Sequence, residues 1–268
     1  MPADQESLQA LRQRAAAAKD PGERYAIVTE VQGRTDRAAF EAARVLARSS
    51  DPDEAVLGLE ILGQLGYPAG RPFLEESLPV VLARCGDDRQ QIVAAAIIAL
   101  GQLADPRGLS ATLAQVAHPC GQVRFAVAVA LPSVAGHPPA GEAAGALVRL
   151  TRDPDPEVRD WATMGLSDPF EADSEEIRGA LVARLTDGEG DIAGEALLGL
   201  AQRKDPRALA PLLAWLDGDH PGNLVVEAAG ALGAPEALPA LRRLQAAGWK
   251  DSDDRPSVLD QAIGACSR

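Results

Sequence analysis

The chain has 268 residues and carries 26 Lys and Arg against 39 Asp and Glu, a formal charge of −13 at pH 7. Apolar residues make up 46% of it, enough to bury a core, which excludes a wholly disordered chain. Nucleic-acid affinity is built from clustered Lys and Arg, so an acidic balance of this size argues against DNA or RNA as a partner.

The opening residues MPADQESLQALRQR lack the basic stretch and apolar run of a secretory signal, and no stretch reaches eighteen apolar residues without charge. A soluble cytoplasmic protein that does not engage membranes is the expectation. The three cysteines, Cys85, Cys120 and Cys266, are odd in number and form no C-x-x-C pair, which speaks against a disulfide framework or a zinc knuckle. With only three Trp, two Tyr and four Phe, the core must be packed from Ala, Leu and Val.

Residues 8–19, 23–32 and 36–48 fit three short helices with a weak repeat signal and are expected to cap one end. From residue 49 onward the chain repeats itself. DPDEAVLGLEILGQLG begins at Asp51, DDRQQIVAAAIIALGQLADPRGL at Asp87, HPCGQVRFAVAVALPSVAG at His118 and DPDPEVRDWATMGLSDP at Asp153. DGEGDIAGEALLGLAQRKDPRAL follows at Asp187 and DGDHPGNLVVEAAGALGAPEAL at Asp217. A late Leu anchors each copy, at Leu62, Leu100, Leu131, Leu166, Leu200 and Leu232, and the last four steps are 31, 35, 34 and 32 residues. Periods of this size belong to stacked helical pairs.

Within a copy, Val158, Ala162 and Leu166 fall at i, i+4 and i+8, an apolar stripe along a helix where a strand would alternate. Asp-Pro and Asp-Gly pairs precede these helices, where a carboxylate accepts from first-turn amides and Pro fits the first position. Second amphipathic runs lie at 71–84, 107–117, 141–151, 176–185, 207–216 and 236–246, so each repeat holds two helices. The many Ala residues let neighbouring helices approach closely.

The expected fold is all-α, a single superhelical solenoid of about seven to eight stacked pairs. Its predicted parts are capping helices in 1–48, repeats in 49–246 and a C-terminal cap in 247–268. That cap would hold the polar run KDSDDRP and the closing helix VLDQAIGACSR. GLSDPFEADSEE at 165–176 is the longest irregular stretch.

DPDPEVRDWATMGL, QVRFAVAVALPSV, ADPRGL and KDPRALAPLLAWL resemble HEAT repeats of the phycobilin-lyase-like type, over roughly residues 50–245. Among relatives of that type, deoxyhypusine hydroxylase holds iron with His-Glu pairs. At the equivalent dipeptides this chain has Asp160-Trp161, Gly194-Glu195 and Val226-Glu227, so two Glu stand there and every His is missing. Iron needs imidazole to complete such a set. The glycosylase relatives grip DNA through a basic cleft, and no basic stripe accompanies Asp160-Trp161 or Trp215-Asp217 here. Bilin lyases act on pigment proteins as paired subunits.

The resemblance further implies that the helix containing VRDWA and its equivalents line the inner face of the superhelix. Phe125, Asp160, Trp161, Glu195 and Glu227 would then face a groove, where a large aromatic suits a partner's anchor. The competing reading is that Phe125 and Trp161 fill gaps between repeats and that the two Glu answer a helix dipole.

A second candidate is the row of turn acids Asp87, Asp88, Asp153, Asp155, Asp187, Asp191, Asp217 and Asp219, an edge able to steer a basic partner. Helix capping explains most of these acids without any partner. Arg124 and Arg159, at matching positions, are expected to stabilise the stack by bonding a turn Asp of a neighbouring repeat. His118 and Cys120 stand two apart in a turn and His137 and His220 stand alone, which is no metal set.

No catalytic residues, metal or cofactor are implied. The leading reading is a non-catalytic scaffold for a protein partner, one version being an immunity-type protein that masks a basic toxin. The alternative is an enzyme subunit, bilin-lyase-like or a degenerate hydroxylase.

Overall fold

Asp36, Asp51 and Ser174 start helices in the way their side chains favour. Asp36 accepts from the Ala39 amide at 2.9 Å, Asp51 from the Asp53 and Glu54 amides, and Ser174 from the Ile177 amide. These contacts come from a computed structural model, which describes residues 10, 13, 14, 21–137, 139, 141–167, 172–186, 192–218, 221–249 and 258–267.

Fifteen α-helices and no strand occur among the described residues. The chain divides into two compact units, Met1–Ala146 and Leu147–Arg268. The all-α repeat architecture expected from the periodicity is therefore what forms, pair by pair, within each unit. The expected helix at 8–19 and the run KDSDDRP lie largely outside the described residues.

In the first unit, α1 (Pro21–Gln32) and α2 (Arg37–Ala47) occupy the expected 23–32 and 36–48. The repeats then supply α3 (Pro52–Gln64), α4 (Leu74–Leu82), α5 (Gln90–Leu103), α6 (Leu109–Leu113) and α7 (Gly121–Val134). Helix α8 (Gly141–Leu150) runs across the division. The long Ala-rich helices α3, α5 and α7 lie side by side, and α2, α4 and α6 pack against them as a second layer. Between the layers Phe40, Leu57, Leu62, Ile97, Leu100 and Leu131 are fully buried, each contributing about 1.5–3 kcal/mol.

The second unit repeats the plan. One row is α9 (Pro156–Ser167), α11 (Ile192–Gln202), α13 (Asn223–Leu232) and α15 (Val258–Cys266). Helices α10 (Glu175–Arg184), α12 (Leu209–Leu216) and α14 (Leu238–Ala246) form the other layer. Five of the six anchor leucines are buried, while Leu232 in α13 is half-buried.

Small residues set the spacing inside each row. A methyl group added to Gly101 of α5 would lie 2.8 Å from Ala130 Cα of α7, and one on Gly199 of α11 would lie 2.8 Å from Ser167 Cβ of α9. Such contacts are closer than real methyl carbons tolerate, so the helices touch backbone to backbone.

The repeated Asp-Pro-Arg tripeptide makes a three-residue 3-10 turn at Pro106–Gly108 and again at Pro206–Ala208. In the second unit Asp205 is only 1% exposed. It accepts from the Arg207 amide, Nε and Nη2, and Arg178 Nη1 lies 3.4 Å away. Arg207 reaches on to Glu175 at 2.8 Å, tying this turn to the preceding pair, as Arg107 does with Asp105 and Glu75 in the first unit.

The side-chain bond from Arg207 holds the Asp205 carboxyl down at about 2. Because its folded pKa lies below the unfolded one, its stabilisation is complete above about pH 4 and is lost as pH falls towards 2. Asp205→Asn keeps an acceptor for the turn but removes the charge. We expect it to cost about 2 kcal/mol at pH 7 and to flatten the loss between pH 4 and pH 2, as read by urea unfolding at a series of pH values.

Candidate functional site

The structure places Phe125 in the first unit and Asp160, Trp161, Glu195 and Glu227 in the second. All five lie early in helices of the Ala-rich rows, at the fifth position of α7, the fifth and sixth of α9, the fourth of α11 and the fifth of α13. Counted back from the anchor leucines, Trp161, Glu195 and Glu227 share one register, and Phe125 matches Asp160 one step earlier.

Packing within the second unit confirms that these positions sit at similar heights. Gly199 of α11 meets Ser167 of α9, and Gly194 of α11 meets Leu224 of α13, so the three helices run in step. Trp161 is 38% exposed, one of few large apolar side chains open to water among the described residues. Glu195 and Glu227 are half-buried. The Ser167 hydroxyl lies 3.0 Å from Glu195 Oε2, to which it can donate, so this carboxylate is oriented across the α9–α11 contact.

A groove of about 790 Å³ crosses α11, α13 and α15, and of the row only Glu227 lines it. Gln202, Val226, Glu227, Gly230, Gln261 and Ala262 are among the residues that line it. Its shape follows from composition: small residues that bring α13 and α15 together, as Gly230 does against Ala262 at 3.2 Å, also leave space above the contact. Glu227 was legible in the sequence, whereas Gln202 and Gln261 were not, because neither stands at a repeat-matched position that chemistry alone would single out.

The turn acids are largely engaged within the protein. Asp87 is bonded by Arg89 Nε at 2.9 Å and approached by Arg84 at 3.2 Å, and the bond from Arg89 holds its carboxyl down at about 2. Asp153 is buried and accepts from the Asp155 amide, which in turn caps α9 through Glu157. Asp217 pairs with Arg243. Asp187, Asp191 and Asp219 lie outside the described residues.

Arg124 and Arg159 do identical work within their own repeats. Each Nη1 donates to two carbonyls of its own preceding turn, His118 and Pro119 for Arg124, Asp153 and Pro154 for Arg159. The spacing explains it: five and six residues upstream is where the turn carbonyls point back at the first helical turn.

His118 Nδ1 accepts from the Cys120 amide at 3.1 Å, so the histidine braces the turn before α7. Cys85 and Cys266 are buried, and burial pushes the Cys85 thiol up to about 12. Such a thiol is a packing group rather than a nucleophile. No three His, Cys, Asp or Glu gather as metal donors among the described residues. Nor is any helix there long and apolar enough to cross a membrane.

Among curated proteins, YibA of Escherichia coli (strain K12) is 36% identical over 95 residues, which is 35% of this chain and 34% of YibA. The aligned stretch thus spans about a third of that relative's length. Over the whole fold, the X-ray structure of E. coli YibA superposes with a TM-score of 0.70 at 24% identity, covering 95% of this chain and 90% of that one.

The complex of CpcE and CpcF of phycocyanin lyase from Nostoc sp. PCC7120 gives a TM-score of 0.50 at 16% identity, covering 100% of this chain and 96% of that one. A designed armadillo repeat protein in complex with the peptide (KR)4 also gives 0.50, at 19% identity, covering 84% and 97%. These are likenesses of fold. The family model for HEAT repeats matches residues 78–167 and 143–224, more than half the sequence, and the chain belongs to the HEAT-repeat family.

Proposed function

We propose that the chain is a non-catalytic scaffold that binds a basic protein partner on the open face of α9, α11 and α13. The observation that carries this reading is the stepped row of Trp161, Glu195 and Glu227, one residue per helix in matching register, the last of them lining a groove. An exposed Trp beside half-buried carboxylates offers one large anchoring surface and a negative field that selects the partner's sign. The net charge of −13 adds long-range attraction for cations. A designed repeat protein of similar fold carrying a (KR)4 peptide lends support by analogy.

The test is fluorescence anisotropy of labelled (KR)4 against the protein at low and physiological salt. Trp161→Ala is expected to weaken binding about thirtyfold, the behaviour of a buried anchor. Glu195→Gln and Glu227→Gln should each cost about two- to fivefold and reduce the dependence on salt. Phe125→Ala tests whether the first unit shares the contact. Absence of binding at low salt, or binding indifferent to all these changes, overturns the reading.

A further inference from the structure

Glu60 of α3 breaks the pattern of the repeat. Two positions before the anchor leucine the other copies place Ile98, Val129, Met164, Leu198 and Gly230, and only the α3 copy places a carboxylate. In the second unit Leu198 and Gly230 line the groove, so this register faces the open side of its row. In the first unit Glu60, Ile98 and Val129 are all half-buried, as that position requires. Glu60 Oε2 is nevertheless cut off from water, and it has no hydrogen-bond partner among the described residues.

The cations near α3 are committed elsewhere. Helices α1, α2, α4 and α5 pack against it, and α5 carries no charged residue at all. On α2, Arg37 pairs with Glu41 and Glu76, and Arg44 with Glu41. On α4, Glu75 is held by Arg107 and Glu76 by Arg37. On α1, Glu23 stands in the first turn, Glu30 is bonded by Arg14, and Arg24 lies 3.6 Å from Asp53, which shares the first turn of α3 with Glu54. Of all these charges only Arg24 bears on Glu60. Burial holds the Glu60 carboxyl above the usual carboxylate range, against the smaller pull of Arg24.

A shielded carboxylate without a counter-charge costs stability that the apolar residues of the other copies do not. A residue that breaks a local rule at such a cost marks a place where function is served. Resting on the basic-partner reading above, we propose that Glu60 is a recognition carboxylate of the first unit, which receives a Lys or Arg side chain of the partner and gives up its proton as that side chain docks. The incoming cation brings the charge and the N–H donors that the fold withholds, and Ile98, in the same register of α5, offers an apolar surface for its stem. The carboxyl O–H bond breaks, the proton passes to bulk water, and the carboxylate pairs with the cation. Binding therefore strengthens as pH rises through the titration of Glu60.

Glu60→Gln keeps the size and removes the charge, and it is tested first without ligand. A carboxyl raised by folding penalises the fold fully above its folded pKa and not at all below the ordinary carboxylate value. The variant should therefore show a higher urea midpoint than the wild type at about pH 7 and the same midpoint at about pH 4. Calorimetric titration with (KR)4 in two buffers of different ionisation heat then counts the protons. The wild type should release protons on binding and bind about fivefold more weakly at about pH 5 than at about pH 7. Glu60→Gln should lose that release and most of the pH dependence, and bind about two- to fivefold more weakly at about pH 7. Equal proton release in both proteins, or a variant no more stable than the wild type at neutral pH, overturns the assignment of Glu60 while leaving a basic partner in place. Failure of (KR)4 to bind the wild type at low salt overturns the basic-partner reading itself, and cation docking at Glu60 with it.

Discussion

Replacing Gly58 with alanine is expected to destabilise the first unit by about 3 kcal/mol or more, although it adds a single methyl group. Gly58 lies in α3 where α2 crosses it, and a methyl carbon there would sit 2.1 Å from Ala47 N and 2.7 Å from Leu46 C. Those are backbone atoms, so no rotamer change relieves the clash and the two helices must separate. Separation uncovers Leu46 and Leu57, both fully buried between them.

Gly145→Ala is the matched comparison, because Gly145 is exposed in α8 with nothing within 4 Å of the added carbon. There the substitution removes only glycine's helix penalty and should gain about 0.5–1 kcal/mol. Urea unfolding of both variants checks the pair. A Gly58→Ala protein as stable as the wild type would mean that α2 and α3 do not approach as closely as described.

Arg203→Met should cost the second unit about 3–5 kcal/mol. The guanidinium is 7% exposed and donates to three carbonyls, Leu166 at 2.7 Å, Gly199 at 2.9 Å and Ala172 at 3.1 Å. It thereby joins the end of α9, the body of α11 and the approach to α10. Burial lowers its pKa, yet an arginine starts so high that the charge stays at any ordinary pH.

Methionine matches the length of the stem and leaves those carbonyls without their donor, which is where the cost arises. Arg203→Lys should recover little, since an ammonium is a compact point charge and lacks the planar fork that spans the three acceptors. Hydrogen exchange supplies the local measurement: protection should fall first in α9 and α10. Exchange unchanged there, with a loss below 1 kcal/mol, would remove Arg203 as a clamp.

The periodicity of leucines made the helical pairs legible because a helix that must bury one face repeats its apolar residues every three or four positions. The same rule located α1 through α15 closely. Expected and observed bounds differ at both ends of the second runs: in 107–117 a 3-10 turn takes the first two residues and the α-helix, Leu109–Leu113, stops four short of the expected end.

The candidate site was legible in part. Trp161, Glu195 and Glu227 are conspicuous because polar or large residues occupy register positions where other copies place buried residues such as Leu57 and Ala126. Gln202 and Gln261 carry no such mark and become candidates only when the groove brings α11 and α15 to the same cavity.

The roles of the arginines divide along the same line. Arg107 and Arg207 follow Asp-Pro in sequence, and their bonds to Asp105 and Asp205 are local enough to be foreseen. Their reach to Glu75 and Glu175 depends on how one pair stacks on the one before. Arg203 lies in no motif, and its three carbonyls belong to segments up to 37 residues away.

By itself, then, the sequence determined the class of fold, the length of the repeat, the turns and the sign of the surface charge. All of these follow from local spacing and composition, and each is settled within one repeat or by a sum over the chain. The tertiary structure alone decided which small residues touch, where Arg203 is buried and which helices share the groove. Those depend on the relative height of neighbouring helices, which is set by side-chain packing between repeats and is not encoded at any single position.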